Sequence, residues 1–208
     1  MSKARLEAFS DGVIAILITI MVLELRVPHG ADLDALRPIA SVFLSYVLSF
    51  VFLGIYWSNH HHMLQLTTRI NGAILWANLH LLFWLSIVSF ATGWMGENHF
   101  AKLPTAIYGC VLLASAIAYT ILQQTIIAEQ GPGSRLKAAV GNDLKGKVSG
   151  LLYAIAIPLT FVHESIAASI YVAVALVWLV PDRRIENHIK ANALRSAGAA
   201  GTLEDDAH

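Results

Sequence analysis

Charged and hydroxyl side chains crowd one end of the first apolar segment of the sequence. Arg5, Glu7, Ser10 and Asp11 precede the run VIAILITIMVL, and Glu24 follows it. Only 12 residues separate Asp11 from Glu24, which is about 18 Å of helix at 1.5 Å per residue. Because so short an uncharged centre suits lipid poorly, we expect other helices to shield this helix, or the helix to line a water-filled path.

One face of this segment is almost entirely aliphatic. At 100° per residue, that face carries Gly12, Ile16, Thr19, Ile20 and Leu23. Asp11 falls more nearly on the opposite face, where an unpaired carboxylate would be costly, and Arg5 is its candidate partner. Periodicity alone leaves two interpretations open: a helix-packing stripe, which it favours, and a surface that lines a pore.

A second polar cluster, YWSNHHHM, contains three successive histidines, His60 to His62. Adjacent residues on a helix point about 100° apart, and no carboxylate follows at the spacing of a zinc site, so hydrogen bonding is favoured over metal binding. A haem pair that uses His80 is weaker still. We therefore expect no bound metal and no cofactor.

The third apolar segment is polar without being charged. It carries no Asp, Glu, Lys or Arg between Asn71 and Gly96, and its polar groups fit hydrogen bonds between helices: Asn78, His80, Ser86, Ser89 and Thr92. A proton- or sodium-coupled transporter usually keeps carboxylates near the membrane centre, and this chain has almost none there. The motifs G-x-S-x-G, G-x-x-x-x-G-K-[ST] and H-E-x-x-H are also missing, so the sequence gives no indication of an enzyme.

The composition sets the class of protein that holds these residues. Of 208 residues, 56% are hydrophobic and 13% are charged, about half the charged share of a soluble domain, which indicates an all-α integral membrane protein. Lys+Arg 14 balances Asp+Glu 14, so no nucleic-acid partner is expected, and the single cysteine, Cys110, excludes a disulfide framework. Hydropathy predicts six transmembrane helices at about residues 6–25, 39–57, 72–95, 104–128, 145–162 and 165–182.

Six spans place both termini on one side of the membrane. All of the 14 basic residues except Arg26, Arg37 and Lys102 then lie on that side. By the positive-inside rule, this side is the cytoplasmic one. Residues 1–184 form one six-helix unit in this scheme, and residues 185–208 form a cytoplasmic tail. A signal peptide is the alternative for the first segment, but Glu7, Asp11 and the lack of a cleavage site argue against it.

Four short motifs carry a resemblance to a known family. Arg5-x-x-x-Phe9-Ser10-Asp11 resembles the signature that opens the first helix of the transmembrane protein 175 potassium channels. The likeness continues through Trp57-x-x-His60-His61, Arg69-x-Asn71 and Gly96-Glu97, and so covers the first 100 residues. The later part of the chain agrees in its predicted number of spans.

The resemblance implies a potassium-selective channel that is weakly selective over sodium. A chain with one six-helix repeat would form a prokaryotic homotetramer in the bacterial inner membrane, with K⁺ as the permeant ion and lipid as its surroundings. The first helix of each subunit would line the pore: Ile16, Ile20 and Leu23 would form its constriction and Thr19 a polar layer. A polar network would brace that helix through Arg5, Phe9, Ser10, Asp11, Trp57, His60 and His61. The alternatives are a non-conducting carrier or regulatory membrane protein, and a proton-permeable channel.

Overall fold

The computed structural model describes residues 2–179, and all regular secondary structure within them is helical. In chain order the α-helices are α1 (Lys3–Leu23), α2 (Ala40–Gln65), α3 (Gly72–Glu97), α4 (Lys102–Gln130), α5 (Arg135–Val140), α6 (Leu144–Val162) and α7 (Glu164–Leu179). Short 3-10 helices cover Leu33–Ile39 and Gly131–Gly133. The end of the predicted span 165–182 and the predicted tail 185–208 lie outside the described residues.

Five of these helices are long and apolar enough to cross a membrane: α1, α2, α3, α4 and α6. The described part of α7 is apolar but has 16 residues, about 24 Å of helix against roughly 30 Å of hydrocarbon. The prediction of an all-helical protein with several membrane-spanning segments is therefore confirmed. The count of six spans stays a prediction.

α2 ends later than the predicted span, because polar residues at its end are also helical. α2 continues past the predicted limit at residue 57 as far as Gln65, so all three histidines of the polar cluster are helical. His60 is buried in this part of α2, which hydropathy does not register. α6 and α7 form the predicted hairpin, with the break at His163, where the backbone is extended.

The bundle has two adjoining hydrophobic cores. One joins α1, α2, α3, α4 and α5 around Leu53, Leu64, Ile74 and Leu81. The other joins α2, α3 and α4 to the α6–α7 hairpin through Tyr108, Tyr153 and Tyr171. α1 packs against α2 and α3, so its position depends on these two helices.

Small residues let α2 and α3 approach closely. Ser45 and Ser49, part of a serine stripe at four-residue spacing on α2, are fully buried. Gly96 of α3 lies against Ser45, and a Cβ at Gly96 would come within 2.8 Å of the Val42 Cα. Ser49 also hydrogen-bonds across the crossing, with its Oγ 2.6 Å from Thr92 Oγ1. The crossing thus combines close packing with an interhelical hydrogen bond.

Candidate functional site

α1 has one buried face and one exposed face within a single chain. The buried face consists of Leu6, Ser10, Ile14, Leu17 and Met21. The predicted stripe lies outside this face: Ile16 is 56% exposed, Ile20 44% and Leu23 78%, and Thr19 is exposed as well. None of the stripe residues packs in the core of its own chain, so the packing interpretation does not hold within one chain.

The Thr19 hydroxyl has a defined orientation on this exposed face. Its Oγ1 donates a hydrogen bond to the backbone carbonyl of Ile16 at 2.9 Å. Because the hydrogen is held by the helix, the lone pairs of the oxygen remain available on the outer side. The stripe therefore presents hydrocarbon with one hydroxyl acceptor, that of Thr19.

Asp11 is held by α2 rather than by its own helix. The indole Nε1 of Trp57 donates to Asp11 Oδ1 at 3.0 Å, and the Trp57 ring stacks on the His61 ring with centroids 6.3 Å apart. The expected pair between Arg5 and Asp11 does not form among the described residues. Six positions on a helix correspond to about 120° of net rotation and 9 Å of rise, which separates the two side chains.

A second polar chain is fully buried where α1, α2 and α3 meet. His60 Nε2 lies 2.6 Å from Asn78 Oδ1, and Asn78 Nδ2 donates to Ser10 Oγ at 3.0 Å. Ser10 Oγ in turn donates to the Leu6 carbonyl at 2.9 Å. Since the Asn78 carbonyl oxygen can only accept, His60 donates from Nε2. The other ring nitrogen, Nδ1, has no hydrogen-bond partner within residues 2–179.

The predicted network therefore divides into two parts and omits two residues. Asp11, Trp57 and His61 form the outer part, and Ser10 and His60 belong to the buried part, joined through Asn78. Arg5 and Phe9 are exposed on α1, outside both parts. The sequence predicts only that Asn78 bonds between helices, because the polarity of a side chain does not reveal which partner it meets.

Only some of the polar residues of α3 form the predicted hydrogen bonds between helices. Asn78 and Thr92 bond across helices as expected. Ser86 bonds to the Phe83 carbonyl within α3, and His80 accepts from the indole of Trp84 one turn along the same helix. A serine hydroxyl on a helix can bond to a carbonyl of the preceding turn, so a polar residue does not require a partner helix.

The three histidines point in different directions. His60 enters the core, His61 stacks on Trp57, and His62 meets the edge of the His61 ring. Across the described part of the chain, no three His, Cys, Asp or Glu side chains come together as metal ligands would. Of the three, His60 hydrogen-bonds to Asn78 and His61 to Gln65.

The far end of α1 is tied to α3. Arg26, just after α1, pairs with Glu97 at the end of α3 at 3.5 Å. Ser41 Oγ and His99 Nδ1, 3.0 Å apart, join the start of α2 to the turn after α3. α1 is thus attached at both ends while its aliphatic stripe stays uncovered.

Comparison with known proteins gives these features a context. The family model described as the endosomal/lysosomal potassium channel TMEM175 matches residues 5–88, which include the motif of α1 and both polar clusters. A Chryseobacterium protein named a potassium channel is 54% identical over 92% of this chain and 100% of its own length. The chain belongs to the TMEM175 family. Membership places it among membrane ion channels rather than enzymes.

Other TMEM175 proteins extend the comparison. A crystal structure titled as a lysosomal potassium-selective channel TMEM175 homologue from Chamaesiphon minutus superposes with a TM-score of 0.76 at 26% identity, covering 86% of this chain and 97% of that one. A Gallus gallus protein named an endosomal/lysosomal proton channel TMEM175 is 38% identical over 33% of this chain and 16% of its own length. The TMEM175 fold thus extends over most of the chain, whereas the likeness to the vertebrate protein is confined to part of it.

Proposed function

We propose that this chain is the subunit of a homotetrameric potassium channel, weakly selective over sodium, whose pore is lined by α1. The observation that carries the proposal is the exposed stripe of Ile16, Thr19, Ile20 and Leu23 on a helix whose opposite face is core. A helix with so short an uncharged centre is unsuited to lipid, and copies of α1 around a shared axis would cover this surface. The names of the bacterial relatives supply the permeant ion.

The aliphatic side chains would act as a gate rather than as ligands. Moving a bare ion from water into a low-dielectric medium costs on the order of 20 kcal/mol by a Born estimate. A dry ring of Ile16 is therefore closed, and opening requires widening so that water accompanies the ion. Thr19 would supply partial ligands next to this ring, because its hydroxyl hydrogen is already committed to the Ile16 carbonyl.

The orientation of the channel in the membrane is proposed from the distribution of basic residues and the lengths of the helices. We propose six spans with both termini in the cytoplasm of a bacterial cell and the protein in its inner membrane, because most basic residues then lie inside. α7 would be the sixth span, extended by snorkelling of basic residues that follow it.

A flux measurement tests the proposal. The purified protein, reconstituted into liposomes with an outward potassium gradient, is expected to conduct potassium, and Ile16→Asn is expected to leak more and to discriminate less against sodium. Ile16→Leu is the matched control, because it keeps the ring aliphatic and should keep the closed pore tight. Unchanged flux and selectivity in Ile16→Asn would contradict the assignment of Ile16.

Proton conduction is a second candidate, favoured by the similarity of this chain to vertebrate proteins named proton channels. A pore that wets transiently need not exclude protons. The same liposomes with a pH gradient and an internal pH dye, with the membrane potential clamped by an ionophore, separate proton from potassium flux. Unitary currents in a planar bilayer distinguish either channel from a carrier, whose turnover is far too slow to give them.

A further inference from the structure

A groove of about 430 Å³ runs along the outside of the bundle between α4 and α6, remote from α1. The loop that contains α5 closes one end of it. Charged and polar side chains lie at this end, and aliphatic side chains line the remainder. The groove takes no part in the proposed conduction path.

The loop end of the groove is positively charged. Residues 131–147 contain four basic residues and one acidic residue, and of the basic ones Lys137 and Lys147 line the groove. Neither lysine forms an ion pair with any other residue in the range 2–179. Asp143 also lines the groove, but one of its oxygens accepts from the Gly146 amide as the cap of α6. The net charge at this end is therefore positive.

The rest of the groove is a strip of exposed hydrocarbon on the outer surface. Ile117 and Ile121 of α4 and Leu151 of α6 are all exposed and line it. Side chains of α4 line the groove from Leu113 to Ile127, about 21 Å along the helix axis, which exceeds the depth of one bilayer leaflet. The strip thus has the length that an acyl chain needs when its headgroup is at the level of α5.

Glycine makes the wall of α6 flat at this surface. Gly146 and Gly150 line the groove one turn apart, and no heavy atom lies within 4 Å of the position that a Cβ at Gly150 would take. Glycine inside a helix lowers stability relative to alanine. Packing within the chain does not require a glycine at position 150, but a ligand lying against α6 would be accommodated by it.

We infer that this groove binds one anionic phospholipid. Its phosphate would lie between Lys137 and Lys147, and one acyl chain would follow Ile117, Ile121 and Leu151. Basic pockets between membrane helices suit anionic headgroups, and the aliphatic strip gives a soluble phosphate no advantage. The two lysines provide the charge complementarity, and the strip provides the contact that requires a lipid.

Native mass spectrometry of the full-length protein in detergent measures this binding. Phosphatidylglycerol is expected to bind more tightly than phosphatidylcholine with the same acyl chains. Lys137→Gln and Lys147→Gln should each weaken phosphatidylglycerol binding about fivefold, at about 1 kcal/mol per basic residue. Arg135→Gln is the matched control, because Arg135 is an exposed cation on the same short helix but does not line the groove.

Three results would overturn the inference. Equal affinity for the two lipids would show that the groove lacks charge recognition, and an equal loss in Arg135→Gln would show that the charge of the whole loop attracts lipid without a site. Glycerol 3-phosphate tests the source of the phosphate, and its binding as tightly as the lipid would contradict a lipid site.

A size series at Gly150 gives an independent test that leaves every charge in place. Gly150→Phe projects a ring into the groove and should reduce phosphatidylglycerol binding at least fivefold, while Gly150→Ala should change it little. Both substitutions favour helix over glycine, so a folded protein is expected in each case, which its thermal unfolding checks. Undiminished binding in folded Gly150→Phe would contradict the placement of the lipid.

Discussion

Asp11 shows how a single carboxylate is accommodated near the end of a membrane helix. It accepts a hydrogen bond from the Trp57 indole at 3.0 Å, and the same indole stacks on His61. A hydrogen bond to a charged acceptor contributes about 1.5–3 kcal/mol. The partner belongs to α2, so the bond fixes the rotation of α1 and with it the direction of the aliphatic stripe.

Trp57→Phe removes this donor and keeps an aromatic ring beside His61. Because both groups are partly exposed and water can replace part of the bond, we expect a loss of about 1 kcal/mol, or a few degrees in Tm. Thermal unfolding of the purified protein measures it. Trp76→Phe is the control, since Trp76 is exposed and has no hydrogen bond within residues 2–179. Equal Tm changes in the two variants would show that the indole N–H of Trp57 does not stabilise the protein.

Substitutions of Asp11 separate structure from ion selectivity. Asp11→Asn keeps an oxygen that can accept from Trp57 but loses the charge, and Asp11→Ala loses both. We expect assembly, measured by size exclusion with light scattering, to fall in the order wild type, Asp11→Asn, Asp11→Ala. Correctly assembled channels should keep their potassium preference in liposome flux. Normal assembly together with a lost preference would assign Asp11 to ion binding instead.

At the scale of the helices, the position of α1 depends on how closely the backbones of α2 and α3 approach each other. α2 and α3 meet where Gly96 faces Ser45 and Val42, and Thr92 hydrogen-bonds to Ser49 one turn away. In lipid, such small-residue contacts replace the hydrophobic effect as the source of helix association. Since α1 packs on both helices, their crossing also sets the place of α1.

Gly96→Ala is expected to destabilise this crossing, because the added Cβ would lie 2.8 Å from the Val42 Cα and the helices must separate. A cost of about 1–3 kcal/mol is typical of overpacking. Gly93→Ala is the matched control, since Gly93 lies on the same helix with no heavy atom within 4 Å of the added Cβ. Thermal unfolding should show a lower Tm for Gly96→Ala only, and an unchanged Tm there would mean that the crossing tolerates a wider separation.

At the scale of the whole molecule, the isolated chain leaves α1 incompletely covered. Ile16, Ile20 and Leu23 are exposed although they belong to the helix that carries the family motif. In the proposed homotetramer these side chains meet around one axis. The assembly, and not the subunit, would then contain the conduction path.

Cross-linking tests this arrangement directly. Cys110 is the single cysteine, so Cys110→Ser gives a thiol-free background for Leu23→Cys. We expect a short bifunctional thiol reagent to link Leu23→Cys subunits on denaturing gels. Leu176→Cys on α7 is the control, because Leu176 is also exposed but would lie far from the axis. Links at Leu176→Cys alone would place α7 rather than α1 at the centre of the assembly.

Much of the fold could be predicted from the sequence, because lipid restricts the backbone conformations that can cross a membrane. A backbone in hydrocarbon must satisfy its own hydrogen bonds, so each long apolar run predicts a helix. The hairpin at His163 follows from the same rule, because polar residues interrupt the apolar run there. The four-residue spacing of Ser45 and Ser49 is also visible in the sequence, and both serines are buried.

Hydrogen-bond partners on different helices could not be predicted from the sequence. Asp11 meets Trp57, 46 positions away, rather than Arg5, and Ser10 reaches His60 through Asn78, 68 positions from Ser10. Such pairs depend on the rotation and height of neighbouring helices. Neither quantity is encoded in the residues of one helix alone.

The sequence by itself determined the class of protein, the existence of its helices and the aliphatic stripe on α1, because hydropathy and the 100° step per residue are local properties. The tertiary structure alone decided that Asp11 meets Trp57, that Asn78 joins Ser10 to His60, and that a groove with one basic end lies between α4 and α6. Each of these features depends on how separate helices pack together, which is a property of the whole bundle.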